Sequence, residues 1–265
     1  MSDKNQSLER GLAILELLEK EQDALGIREV ARRLAVSPAI VQRLMRTLSN
    51  TGYVAQLDSS QKYTLGYRAL SLGASLLSED NLISIAMPKL TKLTNSLAVN
   101  SFLSVPFGNQ MIYVLAIQSV GPVSIRVSPG AVLPLHSTGM GKAMLADQST
   151  EKANSMLAEI SLEKFTDKTI TDMDVLKQEL QQVAGQGYAL SKEENLPGVM
   201  AVGATVKNAH GLPIASVGIA YVPALQPEIN LSDALRQFLE VSSSISMSLG
   251  CPEEKIKILS PKQVV

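Results

Sequence analysis

The 265-residue chain is 45% apolar and 18% charged, so it can bury enough surface for one large or two ordinary domains, which excludes a disordered tail. Its apolar runs, such as residues 199–206, fall far short of the ~20 residues of a membrane-spanning helix, and residues 1–10 lack the layout of a secretory signal; a cytoplasmic protein without membrane contact is expected. The single cysteine, Cys251, excludes an internal disulfide, and with only His136 and His210 beside it no usual zinc set can be assembled, so neither metal nor cofactor is expected.

Residues 8–18 place Leu8, Leu12, Leu15 and Leu18 at spacings of three and four behind Ser7 as a cap, which predicts a first amphipathic helix. Residues 27–34 repeat the helical pattern through Ile27, Val30, Ala31 and Leu34. A tight link at Ala35 and Val36 leads to Ser37-Pro38, a serine cap and a first-turn proline, which start a third helix running to about Ser49. Thr51-Gly52 stops it, and residues 53–57 and 62–65 are β-prone runs around a polar turn, as expected of a hairpin wing. Residues 67–77 form a further helix carrying Leu70 and Leu72, Glu79-Asp80 interrupts it, and another helix follows over about 82–97. The remainder intermixes strands and helices. β-like runs fall at 101–105, 111–118, near 123–127, 188–192, 199–206 and 213–222, and helices at 139–145, 152–160, 173–185 and 231–249, around an antiparallel sheet. An α+β fold is expected, with units at 1–66 and 81–265 and a linker helix at 67–80.

The net charge of −1 hides an asymmetry, because residues 26–68 hold seven basic side chains against Glu29 and Asp58 alone. On the third helix Ile40, Val41, Leu44, Met45 and Leu48 form one stripe, which leaves Pro38, Ala39, Gln42, Arg43 and Arg46 on the opposite face behind Ser37. Arg donates paired hydrogen bonds to guanine and Gln pairs with adenine, so this face has the chemistry of base readout in a major groove. Arg28, Arg32, Arg33 and Lys62 suit phosphate contacts, which position a protein without reading sequence. A lone basic helix is usually a solvated face; it is the order of three helices, tight link and wing that points to double-stranded DNA.

Residues 6–20 (QSLERGLAILELLEK) and the helix-turn-helix through Thr51-Gly52-Tyr53 resemble the IclR family of bacterial regulators. The stretch 134–146 (PLHSTGMGKAMLA) and the stretch from Gln186-Gly187-Tyr188 through Glu193-Glu194 to Gly198 extend that resemblance over nearly the whole chain. It implies a winged helix-turn-helix, a linker helix and a GAF-like effector domain, assembled as a homodimer or homotetramer on palindromic operators. It also implies an effector pocket at Gly139, Met140, Ser191, Ala201, Gly218 and Ala220. Relatives that take short keto acids tend to carry hydroxyl, thiol or carboxylate groups at the last four positions, whereas this chain keeps only Ser191. Space without side-chain hydrogen bonds implies a larger or more apolar organic acid, aromatic acids included, its carboxylate near Gly139 and its body against Ala201, Gly218 and Ala220. The same two small residues, Gly218 and Ala220, are equally expected if a helix packs over them.

No catalytic residue is expected. A phosphate-loop reading of residues 139–142 fails, since His136 replaces the first glycine and Ala143 follows Lys142; Lys142 is then a helix-surface charge and His136 a loop or core histidine. Glu193 and Glu194, adjacent on a strand, would point to opposite faces and not act on one substrate. A small-molecule hydrolase and a ligand-binding module without a DNA role are the alternatives.

Overall fold

The computed structural model describes residues 5–21, 23–79 and 81–256. The chain separates into two compact units, Met1–Asp80 and Asn81–Val265, and each is described by itself. The first contains α1 (Gln6–Lys20), α2 (Ile27–Arg33), α3 (Pro38–Asn50), β1 (Val54–Gln56), β2 (Tyr63–Leu65) and α4 (Tyr67–Glu79). The cap of α1 is Asn5, not Ser7: the Asn5 side-chain oxygen accepts from the N–H groups of Ser7 (3.1 Å) and Leu8 (3.2 Å). Its buried face also departs from the leucine stripe. Gly11, Ile14 and Leu18 are buried, while Leu8 and Leu12 are 61% and 52% exposed. Ile14 sets the direction of the buried face, and at 3.6 residues per turn Leu8 and Leu12 fall to its side.

Ala35 takes φ +51°, so the link between α2 and α3 closes sharply, with the Val36 N–H donating to the Ala31 carbonyl (3.0 Å). Ser37 stands at the start of α3 as expected, but its side chain makes no cap hydrogen bond. Val41 and Met45 are the buried residues of α3, packing with Ile14, Leu18, Val30 and Val54. β1 and β2 pair antiparallel, and an isolated bridge from Leu25 to Tyr63 ties the wing to the segment before α2. Leu70 and Leu72 of α4 are exposed, and the break expected at Glu79-Asp80 falls partly outside the described residues.

The second unit opens with α5 (Asn81–Leu97), followed by β3 (Asn100–Phe107), β4 (Gln110–Ile117), β5 (Val132–Leu133), α6 (Gly139–Asp147), α7 (Thr150–Glu159), α8 (Met173–Gln186), β6 (Ala189–Lys192), β7 (Met200–Lys207), β8 (Pro213–Tyr221) and α9 (Leu231–Ser248). The strands make one sheet in the order β5-β4-β3-β8-β7-β6, antiparallel throughout. Alternation sorts the two faces. Leu103, Val217 and Ile219 pack with Leu90 of α5 and Phe238 of α9, whereas Phe102 and Ala220 pack with Met140, Met144 and Leu176 from α6 and α8. The run at 123–127 is not a strand. Two of its backbone groups are satisfied by the buried Asn100 side chain, which donates to the Val123 carbonyl (3.1 Å) and accepts from the Ile125 N–H (2.9 Å).

Candidate functional site

In the first unit, the third-helix face expected to meet DNA is open. Ser37, Pro38, Ala39, Gln42, Arg43 and Arg46 are exposed, opposite buried Val41 and Met45, and Arg28, Arg32 and Lys62 are exposed as well. Among the described residues, Arg28, Arg43, Arg46 and Lys62 make no ion pair; Arg32 and Arg33 do. Arg32 holds Glu29 through two hydrogen bonds (2.6 and 3.1 Å), and Arg33 bonds Glu29 (2.6 Å) and also Glu21. Hydrogen bonds from Arg32 first, then Arg33, pull the Glu29 carboxyl down to about 2. The spacing of Glu29, Arg32 and Arg33 on one helix makes these pairs legible in sequence.

In the second unit, all six residues named for an effector pocket line one cleft, which encloses about 540 Å³ including its open mouth. Its centre is the start of α6. A Cβ built at Gly203 of β7 would overlap the backbone of Gly139 and Met140, so α6 sits down on β7 at a glycine–glycine contact. Thr138 caps the helix: its hydroxyl accepts from the Gly141 N–H (3.0 Å) and donates to the Pro134 carbonyl (2.7 Å). The N–H groups of Gly139 and Met140 have no acceptor among the described residues and occupy the positive end of the helix. Ser191 is buried, its hydroxyl donating to the Ser137 carbonyl (2.7 Å), so its donor is already in use.

Cross-strand pairing sets Ala201 beside Ala220 and Gly203 beside Gly218. A Cβ at Gly218 would lie 2.7 Å from Met140 Cγ, so helix packing accounts for the glycine there, while Ala220 faces the cleft. Several lining residues were not visible in the sequence. Phe102, Tyr113, Ile125 and Val127 make an apolar end, with the Phe102 and Tyr113 rings edge to face at 5.8 Å, and Asn195 and Leu196 come from the turn after β6. No local signal marks them; they meet only through the pairing of strands far apart in sequence. Burial pushes the Tyr113 phenol up to about 12.

Behind this cleft lies an ionic cluster that corrects the reading of Lys142 as a surface charge. Lys142 is fully buried, and its ammonium donates to both oxygens of Glu194 (2.8 Å each) and to Glu179. Burial raises the Glu194 pKa against the opposing pull of Lys142. β6 ends at Lys192, so Glu193 and Glu194 stand in a turn, not on a strand. They diverge all the same: Glu193, at φ +62°, bonds Lys168 (2.5 Å) and the Gly198 N–H (3.0 Å) on the outside. His136 is a buried loop histidine, its Nε2 2.9 Å from the Glu163 carbonyl and its ring stacked on Phe165. Among the described residues no group of His, Cys, Asp or Glu could hold a metal ion, and no helix is long and apolar enough to cross a membrane.

Residues 7–58 match the model of the IclR helix-turn-helix domain and residues 74–247 that of the bacterial transcriptional regulator IclR C-terminal domain. The chain belongs to the IclR family of bacterial transcription regulators. The HTH-type transcriptional regulator BhcR, from Paracoccus denitrificans, is 31% identical over 86% of this chain and 80% of its own length. The crystal structure of a transcriptional regulator from Rhodococcus sp. RHA1 superposes with a TM-score of 0.81 at 28% identity, covering 93% of this chain and 98% of that one. An IclR homologue from Microbacterium hydrocarbonoxydans, solved in complex with 4-hydroxybenzoate, shares the fold with a TM-score of 0.80 at 19% identity, over 92% of this chain and 99% of its own. The two-domain α+β architecture is therefore that of the IclR family, and the chain is a DNA-binding transcription regulator, not a hydrolase or a ligand-binding module without a DNA role.

Proposed function

We propose that this regulator, working in the cytoplasm, binds a palindromic operator as a homodimer or homotetramer and releases or recruits it in response to a small organic acid, controlling a catabolic operon. The DNA-reading part is assigned to residues 1–66, the linker to 67–80 and the effector domain to 81–265. Ser37, Pro38, Ala39, Gln42, Arg43 and Arg46 face the base edges, while Arg28, Arg32 and Lys62 meet phosphates. The exposure of the α3 face supports this docking.

The observation that carries the effector assignment is the convergence of Gly139, Met140, Ser191, Ala201, Gly218 and Ala220 on one cleft. Two unpaired N–H groups at a helix start suit a carboxylate. Ala201 and Ala220, with the apolar end at Phe102, Ile125 and Val127, suit a body larger than that of a two- or three-carbon acid. The 4-hydroxybenzoate complex of the Microbacterium homologue agrees with an aromatic acid. A ligand preferring one arrangement of the paired chains by ~1–3 kcal/mol would make a useful switch. Calorimetry across short keto acids and aromatic acids tests the assignment: aromatic acids are expected to bind, and tight binding of glyoxylate or pyruvate alone would overturn it.

A further inference from the structure

The polar side chains that line the cleft are Tyr113 at the apolar end and Thr138, Ser191 and Asn195 near the start of α6. The hydroxyls of Thr138 and Ser191 are already committed as donors, to the Pro134 and Ser137 carbonyls (2.7 Å each). Asn195 differs. Its Oδ1 accepts from the hydroxyl of Ser137 (3.1 Å), two residues before Gly139, which brings the amide to the helix start. The chemistry of that contact also sets which way the amide faces. Ser137 is fully buried, and Asn195 Oδ1 is the acceptor its hydroxyl proton finds among the described residues; turning the amide over would set a donor against the hydroxyl and orphan that proton. The Asn195 NH2 group is thereby left without an acceptor among the described residues, and it is not sealed inside protein.

The turn that carries this amide is held on both sides. Before it, Thr169 donates to the Glu194 carbonyl (2.6 Å) and Lys142 holds the Glu194 carboxylate (2.8 Å to each oxygen); after it, the Val199 N–H donates to the Leu196 carbonyl (3.2 Å) and the Gly198 N–H to the Glu193 carboxylate (3.0 Å). A donor fixed before a ligand arrives has little ordering left to lose on binding. A carboxylate offers about four lone-pair positions on its two oxygens, more than the N–H groups of Gly139 and Met140 can fill. Ala201, Gly218 and Ala220 have no side-chain donor, so at this end of the cleft Asn195 is the side chain with a donor to spare.

Resting on the carboxylate assignment above, we infer that Asn195 is a specificity-determining residue: its NH2 group hydrogen-bonds the effector's carboxylate alongside the Gly139 and Met140 N–H groups, and so separates an acid from the uncharged amide of the same shape. A hydrogen bond to a charged acceptor is the stronger kind, and a ligand amide would bring a second NH2 group against the Asn195 donor.

The test is calorimetry on the full chain with 4-hydroxybenzoate and 4-hydroxybenzamide, which share ring and para group. Asn195→Asp keeps an oxygen to accept from Ser137 and exchanges only the NH2 group for a charged oxygen. It is expected to bind 4-hydroxybenzoate at least about tenfold more weakly than the wild type, the worth of one hydrogen bond to a charged group, and 4-hydroxybenzamide within about threefold. Asn195→Leu removes the donor without adding charge and is expected to show the same split, about tenfold against the acid alone; retained amide binding shows that either variant is folded. Equal losses on both probes, or acid affinity unchanged in Asn195→Leu, overturns the role of Asn195 and leaves the organic-acid assignment standing. A wild type that binds neither probe, or binds the amide as tightly as the acid, overturns both.

Discussion

Replacing Lys142 by methionine keeps most of its volume but removes the one cation in a buried cluster. Lys142 is fully buried, the Glu194 side chain is 8% exposed, and Glu179 is 31% exposed beside them. The variant leaves two carboxylates together, one enclosed, and removing one member of a buried pair costs about 3–5 kcal/mol. Against a total stability of roughly 5–15 kcal/mol that is a large fraction. The deficit depends on pH with a definite sign. Burial already raises the Glu194 pKa, and loss of the ammonium removes the main opposing pull. The folded carboxyl then binds its proton more tightly than the unfolded one, so protonation restores stability as pH falls and is lost as pH rises through the raised pKa. Urea unfolding followed by far-UV circular dichroism should show the full loss at pH 8 and a smaller one at pH 5. Adding Glu194→Leu should recover part of it at pH 8. A loss under about 1 kcal/mol at pH 8, or one independent of pH, would refute the account of the cluster. The stakes are functional, because Lys142 stands in α6 just after Gly139 and Met140, and Glu194 precedes Asn195 and Leu196, so the pair ties together two walls of the cleft.

Other substitutions probe other contacts. Gly203→Ala forces a methyl group into the backbone of Gly139 and Met140 and should cost about 3 kcal/mol, the upper end for overpacking, with loss of aromatic-acid binding; a thermal melt within a degree of wild type would contradict the close packing of α6 on β7. Ser216→Ala removes a buried hydroxyl that has no partner among the described residues, so it should leave stability unchanged or raise it by about 1 kcal/mol in urea titration, and a clear loss would mean the hydroxyl is bonded after all. Glu29→Gln releases Arg32 and Arg33 from their shared carboxylate, and should tighten DNA binding and steepen its salt dependence; an unchanged slope would remove Arg32 from the phosphate contacts.

The parts of the fold that were legible are those where local pattern and tertiary packing agree. Pro38 starts α3, Val41 and Met45 point inward, and the basic face is left out, because one short helix docked on two others has a single way to bury its stripe. α1 shows how the same logic slips: four leucines define a stripe, but Ile14 and Leu18 carry the buried face to a neighbouring side, which periodicity alone does not rank. Residues 123–127 have strand composition, yet they pair with no strand, and a distant side chain, Asn100, bonds the Val123 carbonyl and the Ile125 N–H instead. Lys142 follows the same rule in reverse. A lysine is expected outside unless paired, and its partners lie 37 and 52 residues away, beyond any local signal. Likewise the α6 side of the cleft was readable through family resemblance, while Tyr113 enters only through the order β4-β3-β8.

Fluorescence anisotropy tests the DNA-reading assignment most directly, with the full-length wild type, Arg43→Ala and Lys62→Ala titrated against DNA from upstream of the protein's own gene and a scrambled control at two salt concentrations. The account predicts selective, salt-weakened binding by the wild type, relaxed base preference at one or two positions for Arg43→Ala, and uniformly weaker binding with a shallower salt slope for Lys62→Ala. Operator binding left unchanged by both substitutions would contradict it.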